Sequence, residues 1–275
     1  MAIADQRTAA SEATGEPLLL AALSSPETAA LLPQIEMVLI PVGAHEQHGP
    51  NIAVSTDTVS ADALCRAAAA LLGPRVAVAP AIPWGISWHH MAFAGTITLR
   101  PATLAAVLCD IVESLAAHGF RRFLVVNGHG GNTEVILTAV DEIKQDTDVP
   151  WIASIYGYGL IAEQATKLLP SSAIGHGGGD EAALVMAVDP RLGKPDAFTG
   201  PDFVDRLPET QVLLRSYGGM LARPFEERTR NGVTGDASLA TPEIGRQILA
   251  GAGARLAEII SVMLREDEQA ARDRE

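Results

Sequence analysis

The stretch Arg122-Phe123-Leu124-Val125-Val126-Asn127-Gly128-His129-Gly130-Gly131-Asn132 decides the fold. Its first half holds a continuous apolar run, Phe123 to Val126. A strand buried on both faces reads as such a continuous run, and strands of this kind belong to parallel sheets. Its second half carries three glycines, which let backbone approach closely to something bound. Apolar residues at helical spacing follow at Val135, Ile136, Ala139, Val140 and Ile143, so residues 132–145 read as an amphipathic helix. Strand, glycine-rich turn and helix start therefore occur in immediate succession.

The same alternation recurs outward in both directions. Residues 37–42, 75–80 and 151–156 read as further strands. Residues 58–72, 102–117, 180–188 and 242–266 read as helices. The second of these has Pro101 near its start and Gly119 just past its end, as helix boundaries favour. Strands alternating with helices predict an α/β fold with a mostly parallel central sheet and helices on both faces. No internal repeat or linker interrupts the pattern. Residues 17–266 are expected to form a single domain, between a flexible tail at 1–16 and a polar tail at 267–275.

Composition narrows the function classes. A length of 275 residues with 48% apolar content suits one large core. A formal net charge of -13 leaves no basic patch for phosphates, so no nucleic-acid partner is expected. Cys65 and Cys109 lie far apart with no CxxC spacing, and are expected to be buried free thiols. No uninterrupted apolar run reaches the ~20 residues that span a bilayer, and the first residues do not read as a signal peptide. No membrane partner and a cytoplasmic location are the expectations.

Three glycine-punctuated loops carry the ionisable groups. The first is Gly43-Ala44-His45-Glu46-Gln47-His48-Gly49-Pro50 with Ser55-Thr56-Asp57. It follows a predicted strand, where open α/β sheets bind ligands. Glu46 and His48 are two apart and point the same way in extended backbone, and Asp57 opens the next helix. Carboxylate, imidazole and carboxylate are ligands for zinc, manganese or iron. The plain alternative is a polar surface loop. In the second, His129 stands at a strand end beside a helix start, with Gly130 read as a backbone contact to substrate. Phosphate cradling there is the rival, but neither nucleotide fingerprint is met. The third is Gly175-His176-Gly177-Gly178-Gly179-Asp180-Glu181. Asp180 is read as a carboxylate complementing the helix dipole, and Glu181 as able to reach a metal. A fourth segment holds His89 and His90, with Trp84 and Trp88 as candidate pocket walls.

Taken together, PVGAHEQHGP with STDT, HHMAFAGT, NGHGGN, GHGGGDEAALVM and the late GVTGDASLATPEIG give a chain that resembles the creatininase (creatinine amidohydrolase) family over residues 35–260. The resemblance implies a three-layer α/β/α sandwich, two divalent metal ions per subunit (zinc, manganese or iron) and a homo-oligomer, commonly a hexamer. It implies Glu46, His48, Asp57 and His129 as metal ligands with Asp57 bridging, His176 in proton transfer, and His90 near the substrate. One position departs from the family. Creatininase itself has a glutamate ligand two residues after the NGH histidine, where this chain has Gly131, so Glu181 is expected to supply the missing carboxylate and creatinine is not the expected substrate. The activity expected is hydrolysis of an amide C–N bond in a small molecule, a cyclic amide or a formamide. Two alternatives are a peptidase trimming a short modified peptide, as in the mycofactocin-maturation branch, and a non-catalytic metabolite-binding protein.

Overall fold

The structure, a computed structural model, describes residues 15–204, 208–217 and 219–272. Most of the stretch read as an N-terminal tail, and the last three residues of the chain, lie outside the described residues. Five strands, β1 (Leu18–Leu19), β2 (Met37–Val42), β3 (Val76–Val78), β4 (Arg122–Asn127) and β5 (Trp151–Tyr156), form one sheet in the order β1-β3-β2-β4-β5. Every pairing is parallel, with Val38 to Val42 of β2 opposite Phe123 to Asn127 of β4. The helices are α1 (Ser25–Leu31), α2 (Thr56–Leu72), α3 (Pro101–Ala117), α4 (Thr133–Asp146), α5 (Gly157–Ala165), α6 (Gly179–Val188), α7 (Pro208–Ser216) and α8 (Pro242–Arg272).

Because successive strand residues face opposite sides, each buried strand feeds two cores. Met37, Leu39, Leu124 and Val126 pack with Leu64 and Ala68 of α2, Leu184 of α6, and Ile248, Ala252, Leu256 and Ile260 of α8. Val38, Ile40, Phe123 and Val125 pack with Leu104 and Leu108 of α3 and Ile136, Ala139 and Ile143 of α4. This is the three-layer arrangement. All strands being parallel, their carboxyl ends share one edge of the sheet, and the three glycine-rich loops meet there.

The structure departs from the sequence reading in a few places. The third strand is confined to Val76–Val78, because Pro80 ends its pairing where the chain turns into the long 79–98 loop. The edge strand β1 and the helices α1, α5 and α7 have no counterpart in that reading; β1 is two residues long, too short for any periodicity. The last helix runs past residue 266 through Arg272, into the stretch read as a tail, and Arg122 on β4 anchors Asp267 there at 2.7 Å. That helix is also long and apolar enough by composition to cross a bilayer, contrary to expectation, yet its stripe Ile248, Ala252, Leu256 and Ile260 is fully buried in the core. Both thiols are free, but only Cys65 is buried; Cys109 is partly exposed.

Candidate metal centre

Four elements deliver the site. The loop leaving β2 carries Glu46 and His48, the first turn of α2 carries Asp57, the turn leaving β4 carries His129, and the first turn of α6 carries Glu181. Asn132, in the turn leaving β4, ties that turn to the β2 loop and to the 79–98 loop: its Oδ1 accepts from the Ile86 N–H at 2.8 Å and its Nδ2 donates to the Gly43 carbonyl at 2.9 Å. All five predicted ligands converge, none more than 7% exposed.

Among the described residues four triads of His and carboxylate side chains have candidate ligating atoms within 4.8 Å of one another. Two of them overlap in Asp57: Glu46 with Asp57 and His129, and His48 with Asp57 and Glu181; the others are Glu46 with His48 and His176, and Glu46 with His89 and His90. Asp57 joins the first two. Its Oδ1 lies 3.3 Å from His48 Nε2, and its Oδ2 lies 3.2 Å from His129 Nδ1. Glu181 Oε2 stands 3.6 Å from His48 Nε2, and Glu46 Oε2 stands 3.3 Å from His129 Nε2. Backbone carbonyls fix both ligand rings. His48 Nδ1 donates to the Glu46 carbonyl at 2.9 Å, which turns Nε2 toward the cluster. His129 Nε2 donates to the Ile86 carbonyl at 3.0 Å, which turns Nδ1 toward Asp57. Metal-binding histidines are held in this way, the ring nitrogen away from the cation donating to an oxygen.

Three side-chain atoms at the core of the cluster, Glu46 Oε2, His48 Nε2 and Asp57 Oδ2, are buried without a hydrogen-bond partner. Buried polar atoms are ordinarily satisfied, and orphaning one costs of order 1–3 kcal/mol. Three such atoms in one cluster, two carboxylate oxygens and one imidazole nitrogen, fit a divalent cation. A mixed carboxylate and imidazole set of this kind suits zinc, manganese or iron.

The electrostatics show what the cations would displace. Burial raises the Glu46 carboxyl, and Asp57 adds to it against His129 and His48, to about 7. Burial likewise dominates at Glu181, carried to about 8 against the pull of His48. For His48, burial works downward, but Asp57, Glu181 and Glu46 outweigh it and hold the imidazolium up to about 10. His129 behaves similarly: Glu46 and Asp57 override burial, to about 9. Asp57 is raised by burial but pulled well below the usual range by His48 and His129. Protons thus occupy the cluster where cations would sit.

The remaining expected residues surround this centre. His176 Nδ1 lies 3.5 Å, and His90 Nε2 3.4 Å, from Glu46 Oε1. His176 Nε2 donates to the Gln47 carbonyl at 2.8 Å, so its Nδ1 presents a lone pair to the site. Gly130 lies beside the Tyr156 hydroxyl, which a Cβ at that position would approach to 3.3 Å. Trp84 and Trp88 are 48% and 46% exposed; Trp88 meets the His89 ring edge-on at 5.8 Å and neither forms a closed wall.

The model of the creatininase family, described as creatinine amidohydrolase, matches residues 21–260. The chain belongs to the creatininase family. The mycofactocin precursor peptide peptidase of Mycobacterium ulcerans is 32% identical over 221 residues, covering 78% of this chain and 80% of that protein. The creatinine amidohydrolase of Pseudomonas putida is 31% identical over 173 residues, covering 57% and 65%. In solved structures, a manganese creatininase superposes with a TM-score of 0.76 at 24% identity, over 90% of this chain and 99% of that one. A putative creatinine amidohydrolase from Bacteroides fragilis gives 0.77 at 23% identity, over 91% and 98%. The α/β fold and membership of a hydrolase family follow.

In this creatininase-family hydrolase the second loop has no room for a side chain at position 131. A Cβ on Gly131 would lie 2.2 Å from the Ile86 carbonyl oxygen and 2.5 Å from His129 Nε2. No side chain fits there without moving the loop, so the carboxylate of the second triad comes from α6. Glu181 is held for that role by the Gly177 N–H, which donates to its Oε2 at 2.7 Å. Asp180, beside it, faces away and is fully buried, accepting from the Tyr158 hydroxyl at 2.6 Å and the Gly175 N–H at 3.2 Å. It is therefore more than a helix-dipole partner: it pins the glycine loop carrying His176. Three site residues escaped the sequence reading. Phe225, stacked on His90 at 4.1 Å, comes from a segment with no motif. Ser87, whose Oγ is 3.3 Å from His129 Nε2, stands just before Trp88 and the paired histidines, and Gln47 lies inside the first motif; neither carries a charge to single it out.

Proposed function

We propose that this chain hydrolyses an amide C–N bond using two divalent cations, one held by Glu46, Asp57 and His129, the other by His48, Asp57 and Glu181. The observation that carries this is the sharing of Asp57, whose two oxygens face two different imidazoles. Bound there, such cations supply Lewis-acid polarisation of a carbonyl and lower the pKa of water from about 15.7 to about 7. His176 performs the proton work. Its bare Nδ1 faces the cluster, takes the proton released from the attacking water and returns it to the leaving nitrogen. The Gln47 carbonyl, by accepting from Nε2, stabilises the ring while it is charged.

The substrate is a short peptide rather than a small cyclic amide. A small-molecule site would close behind Trp84, Trp88 and His90, but the two tryptophans turn about half their surface to solvent, which supports an open approach. The named peptide peptidases also match more of this chain than the named creatinine amidohydrolase does. The test strips the protein with a chelator, reloads zinc, manganese or iron, and assays short peptides, cyclic amides and formamides side by side. Metal-dependent release of a new amine from a peptide is expected. Cyclic-amide turnover with every peptide intact would overturn the substrate assignment, and turnover by the stripped protein would overturn the cation scheme.

A further inference from the structure

We infer that Gln47, set between the ligands Glu46 and His48, is a positioning residue that fixes which nitrogen of His90 carries hydrogen and, through it, whether that ring donates to Glu46. Its effect on turnover rests on the hydrolase reading above; its direct test does not.

Gln47 is buried, 4% exposed. Its Oε1 accepts from the Gly49 N–H at 2.7 Å, which forbids the flipped amide, since two N–H groups would then face each other. A Cβ on Gly232, at φ +79°, would come within 2.2 Å of this oxygen, so the glycine keeps the slot open. The Nε2 end therefore points the other way. It has three polar neighbours, the Gly232 carbonyl at 3.0 Å, His90 Nδ1 at 2.6 Å and His176 Nε2 at 3.1 Å, and only two hydrogens.

The third neighbour takes neither. His176 Nε2 is 2.8 Å from the Gln47 main-chain carbonyl, an acceptor only, so that nitrogen is itself a donor. The two amide hydrogens go to the Gly232 carbonyl and to His90 Nδ1. His90 Nδ1 is thereby an acceptor, and its ring hydrogen sits on Nε2, 3.4 Å from Glu46 Oε1. The consequence is that His90 presents an N–H, not a lone pair, to Glu46. Oε1 has that N–H as its donor, since the bare Nδ1 of His176, 3.5 Å away, supplies none. With His90 in the other tautomer, Oε1 would face lone pairs on both rings and two hydrogens would face each other at the amide.

The experiment uses the full chain, loaded with zinc because zinc is diamagnetic, with 15N-labelled histidine and long-range 15N–1H correlation at a pH where both rings are neutral. His90 and His176 are each expected to show a protonated Nε2 and a bare Nδ1. In Gln47→Glu the side chain keeps its shape but accepts where it donated, so His90 is expected to move its hydrogen to Nδ1 while His176, held by a main-chain carbonyl, stays unchanged. Zinc affinity should fall about 10–100-fold, the usual effect of losing such a supporting group. A hydrogen on His90 Nδ1 in the unsubstituted protein, or an unchanged His90 in Gln47→Glu, would overturn the inference. The unsubstituted spectrum decides alone if the variant does not fold. Failure to cleave any amide would sink the functional reading and leave this tautomer pattern standing.

Discussion

Asp57 is the residue on which both triads depend, and substitution separates it from its neighbours. Asp57→Asn removes charge from both triads and should abolish loading of two cations together, whereas Glu181→Gln should spare the Glu46–Asp57–His129 triad. Elemental analysis of the purified variants reads this directly, and equal metal loss in both would contradict a shared bridge. His176 behaves differently again, because its Nδ1 touches a ligand oxygen without completing either triad. His176→Ala should keep most of its metal while turnover falls about 10²–10⁴-fold, the range for losing a proton-transfer group. The convergence of these five side chains and His176 was legible because each lies in a glycine-flanked loop after a strand or before a helix, where core packing has no use for a charge. Gln47 was not, since an uncharged amide between two ligands reads as a spacer until its hydrogen-bond partners are known.

At the scale of elements, the turn between β4 and α4 leaves no room for a carboxylate from position 131. The Ile86 carbonyl packs where a side chain there would begin. Gly131→Glu is therefore expected not to rescue Glu181→Gln: the double variant should bind no more zinc by titration than Glu181→Gln alone, and recovered loading would refute the steric argument. The long helix α8 makes a separate prediction. Leu256 is fully buried against the sheet, so Leu256→Ala should cost about 2–5 kcal/mol in chemical denaturation with metal ligands untouched. Elements such as β4 and α3 were readable because an apolar run or a periodic stripe spans them with Pro and Gly at their ends. β1 was not, because two residues paired to β3 leave no pattern, and α5 was not, because Gly157 and Gly159 dilute its helical signal.

Across the whole molecule, the charge cluster sits inside an otherwise apolar fold, and pH tests what that costs. Without cations, His48 and His129 are raised to about 10 and about 9, and Glu181 to about 8. Each binds its proton more tightly folded than unfolded. The imidazole contributions are fully present below their unfolded value of about 6.5, and that of Glu181 below about 4.3. All three are lost as pH rises through the folded values, because stability falls with pH wherever the native state holds more protons. His89, lowered by burial and by His129 to about 4, and His90 and His176, held low chiefly by burial, act in the opposite sense, but only below about pH 6.5. Between about pH 7 and 10 the sign is therefore single: the metal-free protein weakens as pH rises. Cations replace the same protons, so their binding tightens over that interval. The melting temperature of chelator-treated protein should fall from pH 7 to pH 9, while that of zinc-loaded protein holds, widening the gap between them. A gap that narrows would mean that the buried imidazoles are not charged in the empty site, and that the cations do not take the place of protons.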